Sequence, residues 1–401
     1  MNTFVSILFL IHLNVTFSQN LVPNPSFENY TSCPSGPNQL TYAFPWTAPT
    51  NNDAEYFHSC SSNTSFGVPN QDIYNFQYPH SGNAFVGLFL YNGVDNNYRE
   101  YCSVQLLNTL ETNKCYWIQF YINKASGAVG GKYAINNIAC AFTNSAITTS
   151  GAGEVINFNP NILKFGNPII KDTLNWISIT GIYYALGGEN YITIGNFKSD
   201  NLTDTLNTGD GTYPGAYYFI DDVSVIEISN LPGGMSAFAG NDATISQLGD
   251  SAFLGQEISN LNCNWSILGG AQIATNTSGL FVQPTSTTTY VVEQTLCGTI
   301  TYDTVTVFVT VGLEELNHST NFELYPNPTT GKVFVSSSNL TGEELKVSVM
   351  DVTGKEVFNT QLSLNEGISH FSLDVKAGSY FVTLLDPVTT KKIIRQLFIQ
   401  K

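Results

Sequence analysis

Positive charge is scarce in this chain. Its 401 residues carry 15 Lys and Arg against 31 Asp and Glu, a formal net charge of −16, and residues 231–312 contain no Lys or Arg at all. A surface with no basic patch cannot neutralise phosphates, so nucleic acid is excluded as a partner, and the acidity fits the solubility of an exported protein. Histidine is scarce as well: after residue 20 only His58, His80, His318 and His370 occur. There is no Gly-x-Ser-x-Gly elbow, no His-Glu-x-x-His helix and no phosphate loop, so the chain reads as non-enzymatic. There is also no Cys-x-x-Cys pair or Cys/His cluster of the kind that holds zinc. After residue 17 no apolar run approaches the ~20 residues needed to cross a bilayer, so no transmembrane span is expected.

No 3.6-residue period persists anywhere. Charged residues make up 11% of the chain and aromatics 13%, with Gly, Asn, Ser and Thr between short apolar runs. That texture predicts all-β architecture. Strand candidates crowd residues 84–228, among them Ala84 to Leu90, Cys115 to Ile122, Trp176 to Tyr184 and Tyr217 to Ile228. Their number in about 200 residues fits one two-sheet jelly roll over 20–230. Leu231-Pro232-Gly233-Gly234 then marks a break. Residues 236–312 have the strand density of an immunoglobulin-like sandwich, 313–321 read as a linker, and 322–401 as a small C-terminal β-sandwich.

Phe4 to Phe17 is apolar over about 14 residues, too short to span a membrane, and Ser18-Gln19-Asn20 follows it. This predicts a signal peptide over 1–19, although residues 1–20 hold no Lys or Arg. All seven cysteines lie beyond it, where an exported protein keeps disulfides. Cys33 and Cys60 flank a loop-rich stretch and form the first expected pair. Cys263 and Cys297, alone in their segment, form the second. The pairing of Cys102, Cys115 and Cys140 stays open, with Cys115 read as a small buried hydrophobe.

The last eighty residues carry an ordered set of motifs. Tyr325-Pro326-Asn327-Pro328-Thr329-Thr330-Gly331 comes first, then Asp351-Val352-Thr353-Gly354-Lys355, then Gly378-Ser379-Tyr380-Phe381-Val382, then a basic and apolar final strand. This order resembles the type A sorting domain of the type IX secretion system. The resemblance implies export through the periplasm to the medium or the outer cell surface, recognition by the secretion machinery, and removal of the tail by a sortase within the preceding linker. Residues 236–312 are similar to bacterial immunoglobulin-like spacers, although Trp265 stands two residues after Cys263 instead of on the next strand.

The opening Asn24-Pro25-Ser26-Phe27-Glu28 and the closing Tyr218-Phe219-Ile220-Asp221-Asp222-Val223 resemble the first and last strands of carbohydrate-binding jelly rolls. Those termini run side by side, which would bring Glu28, Asp221 and Asp222 together. Such an oxygen set suits a structural calcium. The resemblance also implies glycan recognition. Aromatics that fall in loops or at strand edges, Trp46, Tyr56 and Tyr98, together with Arg99, are the expected ligand contacts; Tyr74, Phe76 and Tyr78 share that placement. Two alternatives stand beside glycan binding. One is a structural surface component without a small ligand. The other is a polysaccharide hydrolase whose carboxylate pair would come from Asp53, Glu55, Asp72, Glu100 or Glu111.

Overall fold

The structure is a computed structural model. It describes residues 20–310 and 322–400 except 51–53, 70–73, 75, 129, 150, 152, 248, 338–343, 364–367 and 386–391. The expected signal peptide, the linker at 313–321, Asp53 and Asp72 therefore lie outside the described residues. The chain divides into two compact units, 1–310 and 311–401.

In the first unit, eleven strands build the amino-terminal part: β1 (Glu55–His58), β2 (Ala84–Asn92), β3 (Cys102–Gln105), β4 (Cys115–Lys124), β5 (Tyr133–Ile135), β6 (Ile138–Thr143), β7 (Ile162–Leu163), β8 (Ile177–Tyr184), β9 (Tyr191–Asn196), β10 (Thr205–Asn207) and β11 (Gly215–Glu227). They form a five-stranded sheet ordered β1-β2-β11-β4-β8, a four-stranded sheet ordered β3-β9-β6-β7, and the short pair β10-β5. Side chains alternate across each strand, so Tyr116, Ile118, Phe120 and Ile122 of β4 enter the core between the sheets while Trp117, Gln119 and Tyr121 face outward and remain half-buried. Strand β2 is apolar without alternation because both its faces are covered. Val86 and Leu88 fill the inner core, and Phe85 joins Phe57, Phe66, Tyr74, Tyr217 and Phe219 in a second cluster on the outer face. The opening and closing segments do run side by side: Leu21 donates its N–H to Val225 O and Val223 donates to Pro25 O.

A second sandwich follows, with β12 (Ala243–Ile245), β13 (Ala252–Gly255), β14 (Asn262–Ile267), β15 (Gln272–Ala274), β16 (Gly279–Val282), β17 (Thr288–Leu296) and β18 (Thr299–Val309). The sheets are β12-β18-β17-β14-β15 and β13-β16. Trp265 is fully buried between them and donates Nε1–H to Thr277 O. Across the break at 231–234 the two sandwiches pack directly. Cys115 and Ile182 of the first belong to the second's core. Ser259 donates its N–H to Thr180 O and accepts from Ile182 N–H, which continues the edge of β8, and Lys164 pairs with Glu257.

The disulfides correct one expectation. Cys33 is bonded to Cys60, and Cys297 is bonded to Cys115 instead of Cys263. Cys263 faces the interior of its own sandwich, opposite Gln294. Cys297 lies beyond that ladder, in the turn between β17 and β18 with φ 51°, and so reaches the start of β4. Cys115 is thus a cross-link and not a hydrophobic filler. Cys102 and Cys140 sit opposite Ile194 on either side of β9. Two strand spacings, roughly 10 Å, separate them, beyond disulfide reach.

The second unit, taken by itself, has β19 (Phe322–Tyr325), β20 (Lys332–Ser337), β21 (Glu344–Asp351), β22 (Glu356–Ser363), β23 (Ile368–Ser372), β24 (Gly378–Leu385) and β25 (Lys392–Ile399). Sheets β19-β20-β23 and β22-β21-β24-β25 enclose Val333, Val335, Val347, Val349, Val382 and Leu397. The motif residues hold this sandwich together. Asn327 donates Nδ2–H to Gln396 O and accepts from Phe398 N–H, while Thr329 N–H bonds Phe398 O, so the loop containing Pro326 and Pro328 clamps the last strand. Gly331, at φ 133°, lies against the Leu373 carbonyl, where any Cβ would collide. Gly354, at φ 81°, completes the turn that Asp351 organises by accepting N–H bonds from Thr353 and Lys355. Gly378 opens β24, and Tyr380 donates its hydroxyl to Lys376 O.

Candidate ligand-binding face

Three of the four expected ligand contacts are buried and serve the fold. Trp46 is 1% exposed, lies tilted against Phe27 at 4.8 Å and donates Nε1–H to Asn24 O. Tyr56 is inaccessible, and its hydroxyl donates to Phe27 O. Both rings pin the Asn24–Glu28 segment to the core, because a loop without regular ladders needs apolar anchors and backbone partners of its own. Arg99 is also inaccessible. Its guanidinium pairs with Asp200 at 2.8 Å, donates to Tyr98 O and Lys198 O, and lies over the Tyr91 ring, so it ties two loops together.

Tyr98 alone borders open space. With Asp95, Asn96, Asn97, Gly153, Glu154 and Val155 it lines a broad cleft of about 650 Å³. Its hydroxyl is committed to Glu100 at 2.8 Å and its ring rests against Gly153. Two of the possible hydrolase carboxylates are buried nearby. Glu55 accepts the Tyr217 hydroxyl at 2.7 Å and Glu100 accepts Phe89 N–H at 2.7 Å. Burial, and then the Glu55 charge, push the Tyr217 hydroxyl well above its ordinary range, so it stays a donor.

The three carboxylates expected to hold calcium do gather on one loop, 80–83. Asp221 is inaccessible, and its carboxylate accepts N–H bonds from His80, Ser81 and Asp222. Asp222, at φ 48° in a β-bulge of β11, meets His80 Nδ1 at 2.5 Å and accepts from Ser81 Oγ at 2.7 Å. Glu28 accepts from Asn83 N–H at 2.7 Å and packs against Gly82, where a Cβ would strike the carboxylate. Burial first and Asp222 second raise the Asp221 carboxyl to about 8, against the three N–H groups that favour its charged form. The oxygens of Asp221 are thus engaged by backbone N–H groups, while Asp222 and Glu28 keep lone pairs free. Among the described residues no group of three or more His, Cys, Asp and Glu is placed to hold an ion.

The segment just ahead of that loop displays aromatic rings that the fold leaves at the surface. Phe76 and Tyr78 are 49% and 58% exposed and meet edge-to-face at 5.0 Å. The indole N–H of Trp176, just ahead of β8, bonds Tyr78 O at 3.0 Å. His80 stacks on Tyr121 of β4 at 3.6 Å and meets Trp176 at 6.1 Å. Loop placement in the sequence pointed to Phe76 and Tyr78 as much as to Trp46 and Tyr56; Trp176 and Tyr121 read only as strand residues, and nothing in their spacing marked them.

No curated protein matches the sequence. Several solved structures overlap it in part. PorZ, an essential bacterial surface component of the type IX secretion system of Porphyromonas gingivalis, is 20% identical over 28% of this chain, at TM-score 0.18, and the match spans only 15% of that chain. The cleaved K2 adhesin domain of Lys-gingipain is 13% identical over 50% of this chain and 95% of its own, at TM-score 0.26. A two-domain fibronectin type III segment of chicken tenascin is 13% identical over 39% and 94%, at TM-score 0.17. At such scores none of them bears on what the chain does. Among the described residues no helix is long and apolar enough to cross a membrane. Residues 323–399 match the family described as Secretion system C-terminal sorting domain, so the chain ends in a type IX sorting tail and is exported to the cell surface or the medium.

Proposed function

We propose that residues 20–310 form a displayed binding module that recognises glycans, and that the tail is an export tag cut off by a sortase within 311–321. The exposed rings of Phe76 and Tyr78, beside the half-buried Trp176, carry this reading. Free rings of this size at a solvent-facing loop cost hydration free energy unless something covers them, and sugar rings present apolar C–H faces that stack on aromatics. The buried Glu55 and Glu100 lie beneath the outer-face cluster with their hydroxyl and amide donors in place, which favours binding over hydrolysis. Screening the secreted protein on a glycan array tests the reading. Selective capture without turnover of the captured polysaccharide is expected, while silence on every glycan leaves a structural surface component. Mass spectrometry of the extracellular protein checks the tail: its carboxy terminus is expected within 311–321, and an intact Lys401 on the mature protein defeats the tag assignment.

A further inference from the structure

The charge around the aromatic strip narrows what it takes. Residues 20–98, which supply Phe76, Tyr78 and loop 80–83, contain no Lys or Arg, and the first cation after them, Arg99, is sealed in the interior. The Trp176 turn over residues 172–178 has none either, and Lys171 is the exposed cation next to it in sequence. At the His80 end the polar rim is Asp222, its side chain 24% exposed, with half-buried Glu28 bonded to Asn83 of the same loop. Resting on the glycan-binding reading, we propose that this strip takes an uncharged, hydroxyl-rich polysaccharide. Sugar C–H faces stack on Phe76, Tyr78 and Trp176, and hydroxyls donate to Asp222 and Glu28. Each carboxylate oxygen accepts more than one hydrogen bond, so the rim can serve a ligand while it holds the loop. Charge-assisted bonds of this kind are the stronger ones. The same carboxylates repel uronates and sulfates, and the strip itself supplies no fork or ammonium donor to offset that, Lys171 standing outside it in the preceding turn.

The test uses the full secreted chain on immobilised β-glucan, mannan and dextran beside polygalacturonate, alginate and dextran sulfate, at low and high salt. Binding to at least one neutral polymer, insensitive to salt, is expected, with little retention on the anionic ones. Phe76→Ala and Tyr78→Ala should each weaken it about tenfold, the scale of one lost ring contact. Both side chains are exposed, so an unchanged melting temperature confirms that the fold persists. Asp222→Asn, which removes charge and keeps shape, should narrow the preference for dextran over dextran sulfate. Anionic binding that falls with Phe76→Ala overturns the ligand class and leaves the strip as the site. Neutral binding untouched by both ring substitutions overturns the strip, and no binding to any polymer overturns the glycan reading itself.

Discussion

At the scale of single residues, side chains with the chemistry of ligand contacts turn out to be anchors, and the energetic consequences differ. Trp46→Ala removes a buried ring and leaves Asn24 O without its donor, so a loss of about 3–5 kcal/mol in unfolding free energy is expected from urea titration. Glycan capture by the fraction still folded should be unchanged. Asp221 makes a pH-dependent contribution. Its carboxyl sits at about 8 in the folded chain against an ordinary 3.8, so between those values the folded state holds a proton that the unfolded state has released. Stability from this site is therefore full below pH 3.8 and declines as pH rises towards 8. Thermal unfolding across that window should show the decline, and Asp221→Asn should flatten it. Chelator should leave the melting temperature unchanged, because an ion bound only to the native state would raise it.

At the scale of elements, the five-stranded sheet works because its central strands are covered on both faces, and one glycine permits this. Gly87 of β2 pairs with Glu55 and Phe219, and the Tyr217 hydroxyl occupies the space where its Cβ would be on the way to Glu55. Gly87→Ala therefore pushes Tyr217 off its carboxylate. A cost of about 1–3 kcal/mol is expected from overpacking, measured by denaturant unfolding, with Tyr217→Phe as the comparison that removes the hydroxyl without adding volume. In β11 the bulge at Asp221 and Asp222 is the device that turns a ladder strand into a support for loop 80–83, and so for the aromatic strip.

At the scale of the whole molecule, the first unit behaves as one body because the joint between its sandwiches is covalent as well as packed. The Cys115–Cys297 bond closes a separation of 182 residues. A cross-link over such a loop stabilises by roughly 2–5 kcal/mol. The Cys115→Ser, Cys297→Ser double variant is expected to lower the melting temperature and, in calorimetry, to broaden or split the transition of residues 20–310. A single unshifted peak would show that packing at Ile182 and Ser259 alone holds the joint. Cys102→Ala and Cys140→Ala should not produce that broadening, since burial pushes both thiols up and neither is cross-linked.

The sequence by itself determined the all-β class through local information, the alternation of apolar residues between turn glycines, while the export tail and the side-by-side termini were legible only through the family resemblances that their ordered motifs carry. It also supplied Cys33 with Cys60, joined across a single loop-rich stretch. Tertiary structure alone decided which aromatics are free. Trp46 and Phe76 have the same loop character in sequence, and only the path of the chain places one under Phe27 and the other in solvent. It likewise decided that Cys297 faces another sandwich, that Arg99 points inward to Asp200, and that backbone N–H groups of loop 80–83 bond Asp221 and Glu28. These are contacts between residues far apart in the chain, and neither periodicity nor spacing carries them.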